Sequence, residues 1–167
     1  MKKWSMKKIL KEVTSTLLMV FVISMAINYI RKPDVSNLLP DMSFTLIDGT
    51  KTTFKGNRGQ QPIVIHFWAT WCPTCKLEAS NIEKISDSCQ LITVAVNSGS
   101  SDEIKAFMKE RNLNYPILND KSGAIAKQFD VQAYPTTFIY NSKGELAFSE
   151  VGYTTWLGLE ARLKLVD

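Results

Sequence analysis

The sequence predicts an α/β fold in which a central mixed sheet is flanked by helices. Three observations predict it. The β-branched, nearly continuous apolar runs at residues 63–69 and 91–96 suit strands covered on both faces. Helical patterns alternate with those runs, and a hairpin followed by a helix closes the chain over residues 136–166. With 167 residues, 45% of them hydrophobic, the chain supports one well-cored domain and a short appendage.

The appendage is N-terminal. A formal charge of +4 suits nucleic acid or a membrane surface. Its distribution argues against nucleic acid: Lys2, Lys3, Lys7, Lys8, Lys11, Arg31 and Lys32 precede residue 33 together with only one acid, Glu12, which leaves residues 33–167 at a net −2. Residues 1–12 read as a basic cytoplasmic tail. Residues 13–30 are 18 positions without a charge, and as a helix they reach about 27 Å, close to a bilayer core of about 30 Å. A single-pass transmembrane anchor is expected there. The five lysines before it and two basic residues after it direct the N-terminus to the cytoplasm and the rest of the chain outside. Ser24, Met25 and Ala26 offer a competing signal-peptidase site, but the apolar run continues to Ile30, which favours an uncleaved anchor.

Residues 31–40, with Pro33 and Pro40, read as a linker, and residues 41–167 as the folded domain. Residues 43–47 alternate as a strand, Asp48-Gly49 signals a turn, and residues 51–54 return as the hairpin partner. Residues 56–61 are a loop, 63–69 the central strand, and 73 to about 87 a helix. After the strand at 91–96, Ser101 is expected to cap a helix carrying Ile104, Phe107 and Met108 at helical spacing. A short strand at 115–118 and a brief helix at 122–129 follow. The final hairpin pairs 136–140 with 145–151 around a turn at 141–144, and 157–166 forms the last helix.

The stretch with most chemistry joins the central strand to its helix: Trp68-Ala-Thr-Trp-Cys-Pro-Thr-Cys75. Residues three apart on a helix share a face with Cβ atoms roughly 5–6 Å apart. A slightly adjusted first turn supplies the roughly 3.5–4.5 Å that a disulfide needs. Cys72 falls at the N-cap and Pro73 at the first helical position, where a missing N–H costs nothing. The positive helix end then favours a Cys72 thiolate, the species that attacks disulfides. Cys75, a turn deeper, is expected to be more buried and less ionised, which makes Cys72 the nucleophile and Cys75 the resolving thiol.

With Glu78 three residues beyond Cys75, this motif resembles the membrane-tethered, extracytoplasmic thioredoxin-like proteins. These are the TlpA/ResA group, the cytochrome c maturation thioredoxin and the suppressor-of-copper-sensitivity D proteins. The resemblance implies a thioredoxin fold over residues 41–167 with the 43–54 hairpin as an N-terminal addition. It also implies a cis bond at Tyr134-Pro135, whereas an X–Pro bond in general is cis in only about 5–6% of folded cases. Such a proline holds the Tyr134 carbonyl in place, so that an extended peptide can pair with the backbone beside Cys72. Trp71, Pro73, Tyr134 and Pro135 are accordingly the expected substrate-binding residues, and Pro135 joins Cys72, Cys75 and Glu78 as catalytic. Tyr134, Val151-Gly-Tyr-Thr-Thr155 and Gly158-Leu-Glu-Ala-Arg162 bring the chain nearest the suppressor-of-copper-sensitivity D proteins.

Glu78 either exchanges protons with Cys75 or is an exposed helix acid paired with a lysine; the motif favours the first. His66, the single histidine, stands where classical thioredoxins carry a buried aspartate. It is a candidate proton relay behind Cys75, weighed against a neutral, hydrogen-bonded core residue. Cys89 reads as a small buried core residue, weighed against a regulatory thiol or an intermolecular disulfide. Cys72, Cys75, Cys89 and His66 add up to a zinc-like donor set, but one Cys-X-X-Cys pair and a histidine within an apolar strand argue against it, and neither metal nor cofactor is expected.

The expected activity is thiol:disulfide oxidoreduction in the periplasm, from the bacterial inner membrane, with protein thiols and disulfides as substrates and a membrane thiol-electron transporter as reductant. Reduction is the favoured direction, although potentials of such proteins run from about −270 to about −120 mV. Reduction of apocytochrome c cysteines and a non-enzymatic, tethered copper-binding module are the alternatives, since thiolates suit Cu(I).

Overall fold

In the computed structural model, which describes residues 6–30, 33, 35–54 and 61–166, the chain divides into two units, Met1–Lys32 and Pro33–Asp167. The first contains α1 (Met6–Ile30). Leu17, Leu18, Met19, Val20, Phe21, Val22 and Ile23 are all exposed along it. The expected transmembrane anchor is not shown: among the described residues no helix is long and apolar enough to cross a membrane. The side chains at positions 24, 25 and 27–30 of that expected span lie outside the described residues.

The second unit runs β1 (Ser43–Thr45), β2 (Lys51–Thr53), β3 (Ile63–Trp68), α2 (Pro73–Ile85), β4 (Gln90–Val96), α3 (Ser101–Glu110), β5 (Ile117–Asp120), α4 (Ala124–Gln128), β6 (Thr136–Tyr140), β7 (Leu146–Val151) and α5 (Trp156–Val166). β1 and β2 pair antiparallel as their own two-stranded sheet. The main sheet has the order β5-β4-β3-β6-β7, with β3, β4 and β5 parallel and β6 and β7 antiparallel to their neighbours. The expected mixed sheet is therefore present, with its most apolar strand in the middle.

Every residue of β3 is buried, and its two faces feed two cores. Ile63, Ile65 and Phe67 pack with Ile92, Val94, Phe129 and Phe138. Val64 and Trp68 pack on the other side with Ile82, Ile85, Ile104 and Leu159. The period of two along a strand assigns His66 to this second face, beneath α2 and α5. Phe67 meets both Phe129 and Phe138, at ring centroid distances of 5.2 and 5.8 Å.

Four local expectations shift. The cap of α3 is Ser100, not Ser101: its hydroxyl accepts the Glu103 N–H at 3.2 Å while the Glu103 carboxylate accepts the Ser100 N–H at 2.6 Å, a reciprocal capping box. β5 starts after Pro116 and runs to Asp120, because proline has no N–H for the ladder and β4 sets the register at Thr93 against Ile117. α4 starts at Ala124, since Gly123 before it adopts a left-handed φ of 73°. Part of the expected linker is docked: Leu39 is buried, its N–H donates to the Gly144 carbonyl, and the Leu146 N–H donates to the Asn37 carbonyl, each at 2.8 Å. Of the expected loop at 56–61, residues 56–60 lie outside the described residues.

Candidate functional site

At the C-terminal end of β3 the chain turns through Ala69, Thr70 and Trp71 into α2. The Thr70 N–H donates to the Ser98 hydroxyl at 3.0 Å, and the Trp71 indole N–H donates to the Asn97 carbonyl at 3.1 Å. The turn is thus tied to the segment that follows β4. Trp71 keeps 56% of its surface exposed, and its ring stands edge-on to Tyr134 with centroids 5.8 Å apart.

Cys72 is the N-cap, with extended backbone angles (φ −82°, ψ 115°) and Pro73 in the first turn after it. Its sulfur accepts the Cys75 N–H at 3.2 Å. Such a bond and the helix dipole both favour negative charge on Cys72 once it is reduced. A disulfide joins Cys72 to Cys75 across a Cα separation of 5.3 Å. Contrary to expectation, Cys72 is as buried as its partner, at 5% exposed against 3%. The cause is the loop facing it: Tyr134-Pro135 is cis, and the Tyr134 carbonyl oxygen lies 3.6 Å from the Cys72 sulfur. Hydrogen bonds from the Thr136 hydroxyl to the Ala133 carbonyl and from the Gly152 N–H to the Pro135 carbonyl, both at 2.8 Å, hold that loop.

Glu78 sits one turn beyond Cys75 and is wholly buried, so it is not an exposed helix acid. One carboxyl oxygen, Oε1, accepts the Thr154 N–H at 2.7 Å; the other, Oε2, is buried without a hydrogen-bond partner. Burial pushes the carboxyl up to about 7 although the Thr154 bond pulls it down. The His66 Nε2 lies 4.0 Å from Oε2, and its Nδ1 is 2.9 Å from the Thr137 hydroxyl. His66 and Thr137 are direct cross-strand partners, which accounts for their contact. Burial lowers His66 to about 3. Despite their proximity, both groups are therefore neutral at rest in mildly acidic solution, and they form no ion pair there.

Cys89 stands apart from this constellation. It is buried, its thiol donates to the Ile85 carbonyl at 3.3 Å, and burial followed by the nearby charge of Glu160 raises it to about 12. Among the described residues no group of three or more His, Cys, Asp or Glu is placed to hold a metal ion. Cys72, Cys75, Glu78, Pro135, Trp71, Tyr134 and, behind Glu78, His66 do converge. Sequence reasoning missed Thr137, which becomes His66's partner only through strand register. Thr154 belonged to a C-terminal segment already noted for its resemblance, but its use of the backbone N–H left no mark in the sequence. Asn81 was also missed; its amide N–H groups hold the Tyr153 hydroxyl and the Thr154 carbonyl, each at 3.1 Å.

The AhpC/TSA family pattern matches residues 35–149. The chain is 35% identical over 132 residues to the thioredoxin-like protein YneN of Bacillus subtilis, covering 75% of this chain and 76% of that one. It is 27% identical over 139 residues to the thiol-disulfide oxidoreductase ResA of Bacillus thuringiensis, covering 81% and 80%. Among solved structures, StoA from Bacillus subtilis is similar with a TM-score of 0.65 and 26% identity, over 76% of this chain and 98% of that one. The sheet and helices are those of the thioredoxin fold.

Proposed function

The chain belongs to the AhpC/TSA family, and from that premise we propose that it is an extracytoplasmic thiol:disulfide oxidoreductase that reduces protein disulfides. The carrying observation is a cysteine pair at a helix N-terminus, its first sulfur 3.6 Å from the Tyr134 carbonyl. The printed names of ResA and its relatives support the same chemistry.

In the reductive direction the Cys72 thiolate attacks one sulfur of a substrate disulfide. The other substrate sulfur leaves as a thiolate and is protonated by water, and a mixed disulfide remains on Cys72. Cys75 then loses its proton and attacks the Cys72 sulfur, and the second substrate sulfur leaves with the electron pair. The substrate gains two electrons and the protein ends with the Cys72–Cys75 disulfide. Tyr134, Pro135, Trp71 and Pro73 border the attacked sulfur and bind the extended segment that carries the disulfide. Glu78, one turn from Cys75, exchanges the proton in the second step. A membrane thiol-electron transporter restores the dithiol.

The location rests on the first unit. Seven consecutive exposed apolar residues, Leu17 to Ile23, on one helix, within an uncharged stretch preceded by five lysines, support a single-pass anchor in the bacterial inner membrane with the catalytic unit in the periplasm.

Expression of Cys75→Ser in the native host tests the chemistry, because a protein without its resolving thiol accumulates mixed disulfides on Cys72. Absence of adducts while Cys72 still reacts with an alkylating reagent would overturn it, as would Cu(I) binding without a reversible two-electron couple. Fractionation tests the location: full-length protein is expected in the membrane fraction, and a shortened soluble product would sink the anchor.

A further inference from the structure

The buried polar groups under α2 raise a question that the two cysteines leave open. Glu78 has no access to water, so a proton that it takes from Cys75 must be held nearby or leave through the packed interior. Oε1 is committed as an acceptor to the Thr154 N–H at 2.7 Å, which leaves Oε2 to carry the proton. That oxygen is buried, has no hydrogen-bond partner, and lies 4.0 Å from the His66 Nε2. Two ionisable side chains from different elements, α2 and β3, thus aim at one another inside the apolar core.

We propose that Glu78 and His66 form a one-proton pair, in which His66 Nε2 receives through Glu78 the proton that Cys75 loses as it attacks the mixed disulfide. This deepens the reductase reading and rests on it for the role of Cys75. His66 does not touch the reacting sulfurs; it is a positioning residue for the proton on Glu78.

The electrostatic reason is charge conservation within the core. A lone carboxylate or a lone imidazolium is costly there. The proton on Oε2 with neutral His66, and the proton on Nε2 with ionised Glu78, have the same net charge of zero, and the second is a paired ion rather than an isolated one. Oε2 is the resting site of the proton, since burial raises Glu78 to about 7 and lowers His66 to about 3, and its passage to Nε2 creates no unpaired buried charge. Thr137 accommodates the tautomer this needs: its hydroxyl lies 2.9 Å from Nδ1 and accepts when Nδ1 carries the hydrogen, which leaves Nε2 as the bare acceptor facing Glu78. The present separation exceeds a hydrogen bond, and a side-chain shift of about 1 Å closes it.

Among the described residues, Cys75 lies one turn before Glu78 on α2, and Tyr115, ahead of β5, is close enough to feel the Glu78 charge. Tyr115 stays neutral, its phenol raised by burial and then by the charges of Glu83 and Glu78. Burial of Glu78 with its carboxyl at about 7 makes the proton-free form of the pair accessible near neutral pH. In the resolving step Cys75–SH gives its proton to that form, the Cys75–Cys72 bond forms, the bond from Cys72 to the substrate breaks, and the electron pair leaves on the substrate sulfur.

Because His66 is the single histidine, its ring nitrogens can be followed by 15N NMR in the oxidised protein without assignment. Between pH 5 and 9 the Nε2 signal should move with a midpoint near 7, that of the Glu78 carboxyl, and the movement should vanish in Glu78→Gln. A flat Nε2 signal, or the same transition in Glu78→Gln, overturns the pairing. In single-turnover kinetics His66→Gln should slow resolution of the mixed disulfide roughly tenfold at neutral pH, below the 10²–10⁴ of a direct acid–base group. Formation of the mixed disulfide should be unchanged. An unchanged resolution step also overturns the pairing. The NMR comparison needs no turnover, so it stands even where His66→Gln does not fold. Loss of the reversible dithiol couple in wild-type protein would instead defeat the reductase reading.

Discussion

The two ends of α2 carry the same kind of side chain in opposite electrical settings. Cys72 caps the N-terminal end, accepts a backbone N–H and faces the Tyr134 carbonyl at the rim of the site. Cys89 lies beyond the C-terminal end, and its thiol donates a hydrogen bond to the Ile85 carbonyl of the last turn. Both are nearly inaccessible, at 5% each. Burial alone therefore does not separate a reactive thiol from an inert one. Both sulfurs face a carbonyl, but Cys72 also receives a backbone N–H at the positive end of the helix, and it is this donor that separates them.

The most direct way to break this comparison is alkylation of the reduced protein. Helix N-cap thiols fall to roughly 3.5–7.5, whereas Cys89 is held up at about 12. At neutral pH Cys72 should react with iodoacetamide at least ~10³ times faster than Cys89, read by mass spectrometry of the two peptides. Similar rates would show that the helix ends do not control the thiols.

Activity gives the next contrast. Cys72→Ser should lower insulin reduction by roughly 10³-fold or more, since it removes the nucleophile. Cys89→Ser should leave the rate within about twofold. A comparable loss from Cys89→Ser would bring it into the mechanism.

Glu78, midway along the same helix, tests whether burial without a charged partner is costly. Burial holds its carboxyl at about 7 in the folded state, above its ordinary value of 4.5. The folded state consequently holds an extra proton between those values, and this contribution to stability is lost as pH rises through about 7. Relative to wild type, Glu78→Gln should gain stability steadily from about pH 4.5 to 7, by about 3 kcal/mol in total. Urea titrations across that range check it, and a pH-independent difference would mean that Glu78 is ionised in the core.

The smallest effect belongs to Cys89→Ala. It loses one sulfur contact and one weak hydrogen bond without stranding a strong donor, so about 1 kcal/mol of destabilisation is expected by thermal melting. A loss several times larger would show that the Ile85 bond matters to the helix end.

Much of the fold was legible because its strands are apolar on both faces and its helices announce themselves by spacing and caps. Errors fell where one residue decides a boundary: Ser100 against Ser101, Pro116 ahead of β5, and Gly123 ahead of α4. The docking of residues 37–39 onto the β6–β7 turn was invisible because it uses backbone groups that every residue carries. In the site, Cys72, Cys75 and Pro73 could be placed because a helix N-cap is a local event. The burial of Cys72 could not, since a distant loop covers it.

From its sequence alone this protein determined the nature of its chemistry: two thiols three apart, a proline between them, and a strand leading into a helix. These depend on short-range geometry, which neighbouring residues specify. Tertiary structure decided what surrounds the thiols. It turned Glu78 inward to the Thr154 N–H and set His66 against Thr137 through the register of β3 on β6. It also left Oε2 and Nε2 4.0 Å apart in the core. Desolvation and strand register arise only when remote segments pack, and together they set the proton affinities of Glu78 and His66 beneath the thiols.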